Sequence, residues 1–357
     1  MARYSLSALQ TFIEPCRSLP FWIGIDAHKR SNHLAILRSD GQNYTFVSTA
    51  EPSKLVEQIV ALDFTVGGVA YEAGPTGFSL ARAFERVGFN VLVAAPSRLP
   101  RSVSMGAKTD RLDCLKLATY AAKGLIRPIA LPTAEEEARR SLMRRRHQVV
   151  SEIRSTKQRI KALVLYLGLE EPPALRTWRA TLTEELQKLV MEPESRLTLE
   201  SLLRELGFHK EELSRLEQQI DQLCCKPEHR SAIRAIKSVP GVGNVVAATF
   251  YLELYRPERF NRGDEVSSYL GLAPMVRHSG AKTPRGQLRP AGQHQLRSLL
   301  IEAAWIWRTK DPYASNLYNK LVNKSGIAQK AITALARRLA IILWRLSIEK
   351  RAYHPAS

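Results

Sequence analysis

Four carboxylates in the first third of the chain stand where they could act together. Asp26 ends the short apolar run Phe21-Trp-Ile-Gly-Ile-Asp26, and Glu72 follows the apolar run from Gly67 to Tyr71. Asp110 and Asp113 are three apart in a helical pattern and share one face. If the strands ending in Asp26 and Glu72 are sheet neighbours, two strand-end acids face a helical pair, and the pocket needs a divalent cation to balance its charge. Hard oxygen donors select Mg²⁺ or Mn²⁺, and such a site can stabilise the attacking and leaving oxygens of a phosphoryl transfer. Taken singly, each acid has a structural explanation: Asp110 as a helix cap, Asp113 as a first-turn acid favoured by the helix dipole. Their combination in a chain of net charge +19 favours a site.

A second group lies in the basic loop Val276-Arg-His-Ser-Gly-Ala-Lys282. A lone Ser-Gly usually marks a turn. Here Ser279 is accompanied by Arg277, Lys282, Arg285, Arg289 and Arg297, so the loop could hold a phosphodiester. Ser279 would be the nucleophile, and the cations would balance the developing charge. No GxSxG elbow and no Ser/His/Asp order is present, which disfavours esterase chemistry. His278 reads as a surface histidine rather than a base. Ser238-Val-Pro-Gly-Val-Gly243 resembles the turn of a helix-hairpin-helix unit, in which Gly241 and Gly243 would let backbone N–H groups approach a phosphate. A plain turn between two core helices is the alternative. Arg139, Arg140, Arg144, Arg145 and Arg146 crowd one short stretch. On a chain this basic they favour contact with a nucleic-acid backbone over a merely solvated charge run.

The elements that must position these groups divide the chain in three. Phe21 to Asp26, His33 to Leu37 and Tyr44 to Val47 read as a three-strand meander, the latter two separated by Asp40-Gly41. A helix from Pro52, a strand from Gly67, a helix over Thr76 to Val87, a strand over Asn90 to Ala95 and a helix over Asp110 to Lys123 follow. That is the order of a ribonuclease-H-like α/β sheet. From Glu135 to Cys225 the strand signal vanishes, and mostly apolar positions, with Arg146, Thr156 and His209 among them, step by alternating four and three from Leu142 to Leu167 and from Leu199 to Leu223. Such heptads fit an antiparallel coiled coil or oligomerisation arm, or else two core-facing helices of a bundle. Beyond Ala232 the chain reads as mainly helical, with an amphipathic helix from Ile327 to Leu346.

Composition bounds the partners. Lys and Arg number 53 against 34 Asp and Glu, and such an excess points to nucleic acid before anything else. The four cysteines show no CxxC spacing, so no structural zinc is expected. No apolar run suits a membrane span or a signal peptide, and a cytoplasmic, nucleoid-associated protein with no membrane partner is expected.

Gly24-Ile-Asp-Ala-His-Lys29, Tyr71-Glu-Ala-Gly-Pro-Thr-Gly77 and Lys108-Thr-Asp-Arg-Leu-Asp113 resemble the three signatures of DEDD transposases of the insertion-sequence-one-ten family, the bridge-RNA-guided recombinases. Ser238 to Gly243, Tyr269-Leu-Gly-Leu-Ala-Pro274, His278-Ser-Gly280 and Leu296-Arg-Ser-Leu-Leu300 resemble that family's C-terminal transposase domain, in order. The resemblance implies a RuvC-like domain over 21–132 after an extension at 1–20, with Asp26, Glu72, Asp110 and Asp113 holding Mg²⁺. It implies coiled-coil helices over 133–226, a transposase domain over 227–320 and a C-terminal helix and tail over 321–357. It also implies that Ser279 forms a transient link to DNA, that a bridge RNA pairs with donor and target DNA, and that the chain assembles as a tetramer, a dimer of dimers. The family often has a further glycine after the serine, where this chain has Gly280-Ala281-Lys282. The rival expectations are a RuvC-like, metal-dependent junction-resolving nuclease with Ser279 a bystander, and a non-catalytic nucleic-acid-binding protein.

Overall fold

A computed structural model describes residues 2–99, 110–276, 285–288 and 292–355, which form two compact units, Met1–Ala134 and Glu135–Ser357. In the first unit the chain runs β1 (Ala2–Arg3), α1 (Leu6–Ile13), β2 (Phe21–Ala27), β3 (Ser31–Leu37), β4 (Asn43–Thr49), α2 (Pro52–Val60), β5 (Val66–Glu72), α3 (Ser79–Arg86), β6 (Val91–Ala94) and α4 (Asp110–Ala122). The sheet order is β1-β4-β3-β2-β5-β6. The β2–β3 and β3–β4 pairs are antiparallel, whereas β2–β5, β5–β6 and β1–β4 are parallel. The mixed α/β class and the expected β2–β5 neighbours are therefore observed.

Alternation along the strands decides what each face covers. Phe21, Ile23 and Ile25 of β2 are fully buried in a core with Leu9 and Ile13 of α1, Leu55 and Ile59 of α2, and Leu80 and Phe84 of α3. The opposite face carries small residues instead. Ala35 of β3 packs on Cys114 and Ala118 of α4, and Ala70 of β5 packs on Leu117 and Ala121. A Cβ built on Gly24 would lie 1.9 Å from the Cys114 carbonyl oxygen and 2.4 Å from the Ala118 nitrogen, so only glycine lets α4 lie this close to β2. The segment before Phe21 was expected only as an extension. Its helix α1 supplies two fully buried core residues, and β1 extends the sheet edge beside β4. Helix α3 begins at Ser79, three residues later than its apolar pattern suggests, because Gly77 takes a positive φ of 68° in the preceding turn.

The second unit is almost entirely helical. It contains α5 (Ala134–Tyr166), α6 (Pro173–Thr177), α7 (Leu182–Gln187), α8 (Pro193–Cys224), α9 (Pro227–Lys237), α10 (Asn244–Leu254) and α11 (Gly263–Tyr269). A short antiparallel pair, β7 (Pro274–Val276) and β8 (Arg285–Leu288), precedes α12 (His294–Lys310), α13 (Pro312–Ser325) and α14 (Ala328–Glu349). Helices α5 and α8 run antiparallel. Arg146 pairs with Glu217, Thr156 bonds Glu205, and Ile160 and Val164 share a cluster with Leu199 and Leu206. The heptad positions thus meet within one chain. A separate core around fully buried Trp307 gathers α9, α10, α12, α13 and α14. Among the described residues, no helix is long and apolar enough to cross a membrane.

Candidate active site

The register of the first sheet brings the strand-end acids side by side. Ile25 lies opposite Tyr71 in the parallel β2–β5 ladder, so Asp26 and Glu72 each come one residue later on adjacent strands. Period-two alternation puts Asp26 on the face of Gly24 and Glu72 on the face of Ala70, the face that α4 covers. Asp110 and Asp113 form the first turn of α4. The small residues beneath α4 thus let its first turn lie beside the end of β2, where His28 stands between Asp26 and Asp110. Tyr71, fully buried, donates its hydroxyl to the Gly77 carbonyl at 3.3 Å and ties the loop after Glu72 back to the strand.

Two histidines that the sequence reading left out stand among these acids. His33 is the direct cross-strand partner of Asp26. His28 Nε2 is 3.0 Å from Asp26 Oδ2 and 3.9 Å from Asp110 Oδ2, while His33 Nδ1 is 3.4 Å from Asp110 Oδ2. The imidazole rings meet edge to face at 5.2 Å. For His28 the signal was in the sequence, two residues after Asp26, whereas His33 comes beside Asp26 only through the register of β2 and β3. The negative field here is felt by a neighbour. Burial pushes the Cys114 thiol up to about 12, and the charges of Asp26 and Asp113 push in the same direction. Among the described residues, the donor atoms of Asp110, His28 and His33 lie within 4.8 Å of one another, with Asp26 bonded to His28, and this set fits a divalent cation.

The other expected residues distribute differently. Ser279, Arg277, His278, Lys282 and Arg289 lie outside the described residues, and Arg285 falls in β8. Arg297 of α12 donates to the Gly271 carbonyl at 3.2 Å. In the turn between α9 and α10, Gly241 has a φ of 88°, and a Cβ there would lie 2.9 Å from the Trp307 nitrogen. Gly241 therefore serves close packing on α12. Gly243 precedes the first turn of α10, is exposed, and has open space around it. The basic stretch of α5 is largely engaged within its own unit. Arg139 pairs with Glu135, Arg140 and Arg144 hold buried Glu253 at 2.9 and 3.1 Å, and Arg146 holds Glu217 at 2.6 Å. Arg145 is exposed.

A basic groove was missed. Arg230 and Arg234 of α9 line it together with Lys350 and Arg351 after α14, in a volume of about 660 Å³. The same two arginines, with Lys237 and Asn244, line an adjoining hollow at the start of α10. The spacing of Arg230, Arg234 and Lys237 on a single helix face was the available signal; the contribution of Lys350 and Arg351 had none.

Residues 23–167 match the DEDD transposase model of IS110 elements, and residues 233–319 match the transposase IS116/IS110/IS902 family. The y4rJ protein of Sinorhizobium fredii, which carries a transposase name, is 31% identical over 309 residues, covering 78% of this chain and 76% of the relative. The chain belongs to the IS110 family of DEDD transposases. The similarly named y4qE of the same organism is 28% identical over 363 residues, covering 92% of this chain and 89% of the relative. A pilin gene-inverting protein of Moraxella bovis is 23% identical over 259 residues, 71% of this chain and 70% of the relative. This transposase is therefore an enzyme acting on DNA, in a family whose DEDD carboxylates work with a divalent metal. The first family match spans Asp26, Glu72, Asp110 and Asp113, and the second spans Gly241, Gly243 and Ser279.

Proposed function

We propose that this transposase cuts and rejoins DNA through a serine–DNA intermediate, guided by a bridge RNA, to move its own insertion sequence. The observation that supports the reading is that Asp26 and Glu72 end neighbouring strands on the face covered by α4, whose first turn carries Asp110 and Asp113. We read the first unit as a RuvC-like domain and the α5–α8 hairpin as the coiled coil of the family. Likeness to a gene-inverting protein supports rejoining as well as cutting.

In the mechanism Asp26, Glu72, Asp110 and Asp113 would hold Mg²⁺ or Mn²⁺. The cation would supply charge neutralisation at a reacting phosphate. Ser279 Oγ forms a bond to phosphorus as the bond to the leaving sugar oxygen breaks, and its proton passes to that oxygen or to water. Rejoining reverses the exchange with a different DNA end. Arg277, Lys282, Arg285, Arg289 and Arg297 would balance charge on the phosphodiester, and Gly243 would let backbone approach it. Arg145 and the groove of Arg230, Arg234, Lys350 and Arg351 are the cations we assign to the nucleic-acid backbone. The apolar side chains Leu165, Tyr166, Val190 and Leu197, all more than half exposed around one end of the α5–α8 hairpin, support assembly into a tetramer.

The test is adduct trapping with labelled donor DNA. Wild type should yield a covalent protein–DNA species, and Ser279→Ala should bind DNA and RNA but yield neither adduct nor cleavage. Cleavage at the wild-type rate by Ser279→Ala would instead favour water as the nucleophile, as in a junction-resolving nuclease.

A further inference from the structure

Beside the carboxylates of the DEDD set stand two imidazoles, His28 and His33. One donor atom from each of His28, His33 and Asp110 lies within 4.8 Å of the other two. His33 Nδ1 is buried and has no hydrogen-bond partner, although the Asp110 carboxylate is 3.4 Å away. A buried ring nitrogen without a hydrogen bond is costly, and a cation bound there would satisfy it. The two rings approach from different directions, His33 from within β3 and His28 from the turn after β2, while Asp110 reaches in from α4. Bonds of about 2.0–2.2 Å to a shared cation would set the donor atoms about 3 Å apart, within reach of small side-chain rotations.

The geometry points to a mixed nitrogen–oxygen site in which His28, His33 and Asp110 bind a borderline divalent cation, such as Mn²⁺, Co²⁺ or Zn²⁺, beside the oxygen donors Asp26, Glu72 and Asp113. It rests on the acidic-centre reading and extends it. Imidazole ligands favour first-row transition metals, whereas Mg²⁺ prefers oxygen and retains its waters. The two histidines would therefore set which cation the centre prefers, and two-thirds of the trio's donors are invisible to the four-carboxylate signature.

The test uses the full-length chain, stripped with chelator and dialysed, and reads binding rather than turnover. Co²⁺ is titrated by visible absorption, whose bands report nitrogen ligation, and Mg²⁺ is titrated by calorimetry. His28→Ala is the first variant, because that side chain is nearly half exposed and its removal leaves no core cavity. His33→Asn is the second, keeping a polar group on β3. Each variant should bind the first Co²⁺ at least about tenfold more weakly, with altered bands, while Mg²⁺ affinity changes less than about threefold. Wild-type Co²⁺ affinity and spectrum in both variants would overturn the nitrogen site and leave the acidic centre standing. Failure of wild type to bind either cation would overturn both.

Discussion

Gly24 shows how strongly one residue can govern the centre. Its missing side chain lets the backbone at Cys114 and Ala118 approach β2, and the acids of α4 are carried by that approach. Gly24→Ala places a methyl group against backbone on both sides, so α4 must shift. The first unit should lose about 1–3 kcal/mol or more, as in overpacked cores. DNA cleavage should fall further than stability does, because Asp110 and Asp113 move with the helix. Denaturant titration alongside a cleavage assay checks this, and a variant with normal cleavage would show that α4 need not lie so close. The carboxylates themselves are legible in sequence because Asp26 and Glu72 end apolar runs, while Asp110 and Asp113 repeat at a helical interval. His33 is harder to read: its role depends on cross-strand register, which appears only once the turn between β2 and β3 is known.

At the scale of elements, α5 is fastened by its charges. Arg140 and Arg144 converge on Glu253, which is nearly fully buried in α10, and the Tyr269 hydroxyl donates to the Glu253 carbonyl at 3.0 Å. A run of arginines looks uniform in sequence, because partners more than a hundred positions away leave no local trace. The structure separates them, and so does the expected experiment. Arg140→Ala, with Arg144 left on Glu253, should destabilise the second unit by about 3 kcal/mol, the low end for breaking a buried ion pair. Arg145→Ala should cost less than about 0.5 kcal/mol but lower the salt dependence of DNA binding by nearly one unit in log–log slope. Thermal unfolding and binding at several salt concentrations distinguish the two. Equal effects of both variants on binding, with stability untouched, would return the whole run to the nucleic-acid surface. The long helices were readable from their heptads, whereas β1 was not, since two residues carry no period. Helix α13 was missed as well, although Asp311 caps it by accepting from the Ala314 amide at 3.1 Å.

Across the whole molecule, the family assignment and the two-unit organisation leave one claim on which the rest depends: Asp26, Glu72, Asp110 and Asp113 form the catalytic centre. The most direct measurement is strand cleavage and exchange by Asp26→Asn and Asp113→Asn in Mg²⁺, with DNA binding and thermal stability measured on the same preparations. Removing one of several crowded negative charges relieves repulsion, so without metal the variants should be no less stable than wild type. They should bind DNA normally and lose cleavage by about a thousandfold or more, in line with removing a main electrostatic contributor to the transition state. Cleavage and strand exchange by Asp26→Asn at the wild-type rate would contradict the account.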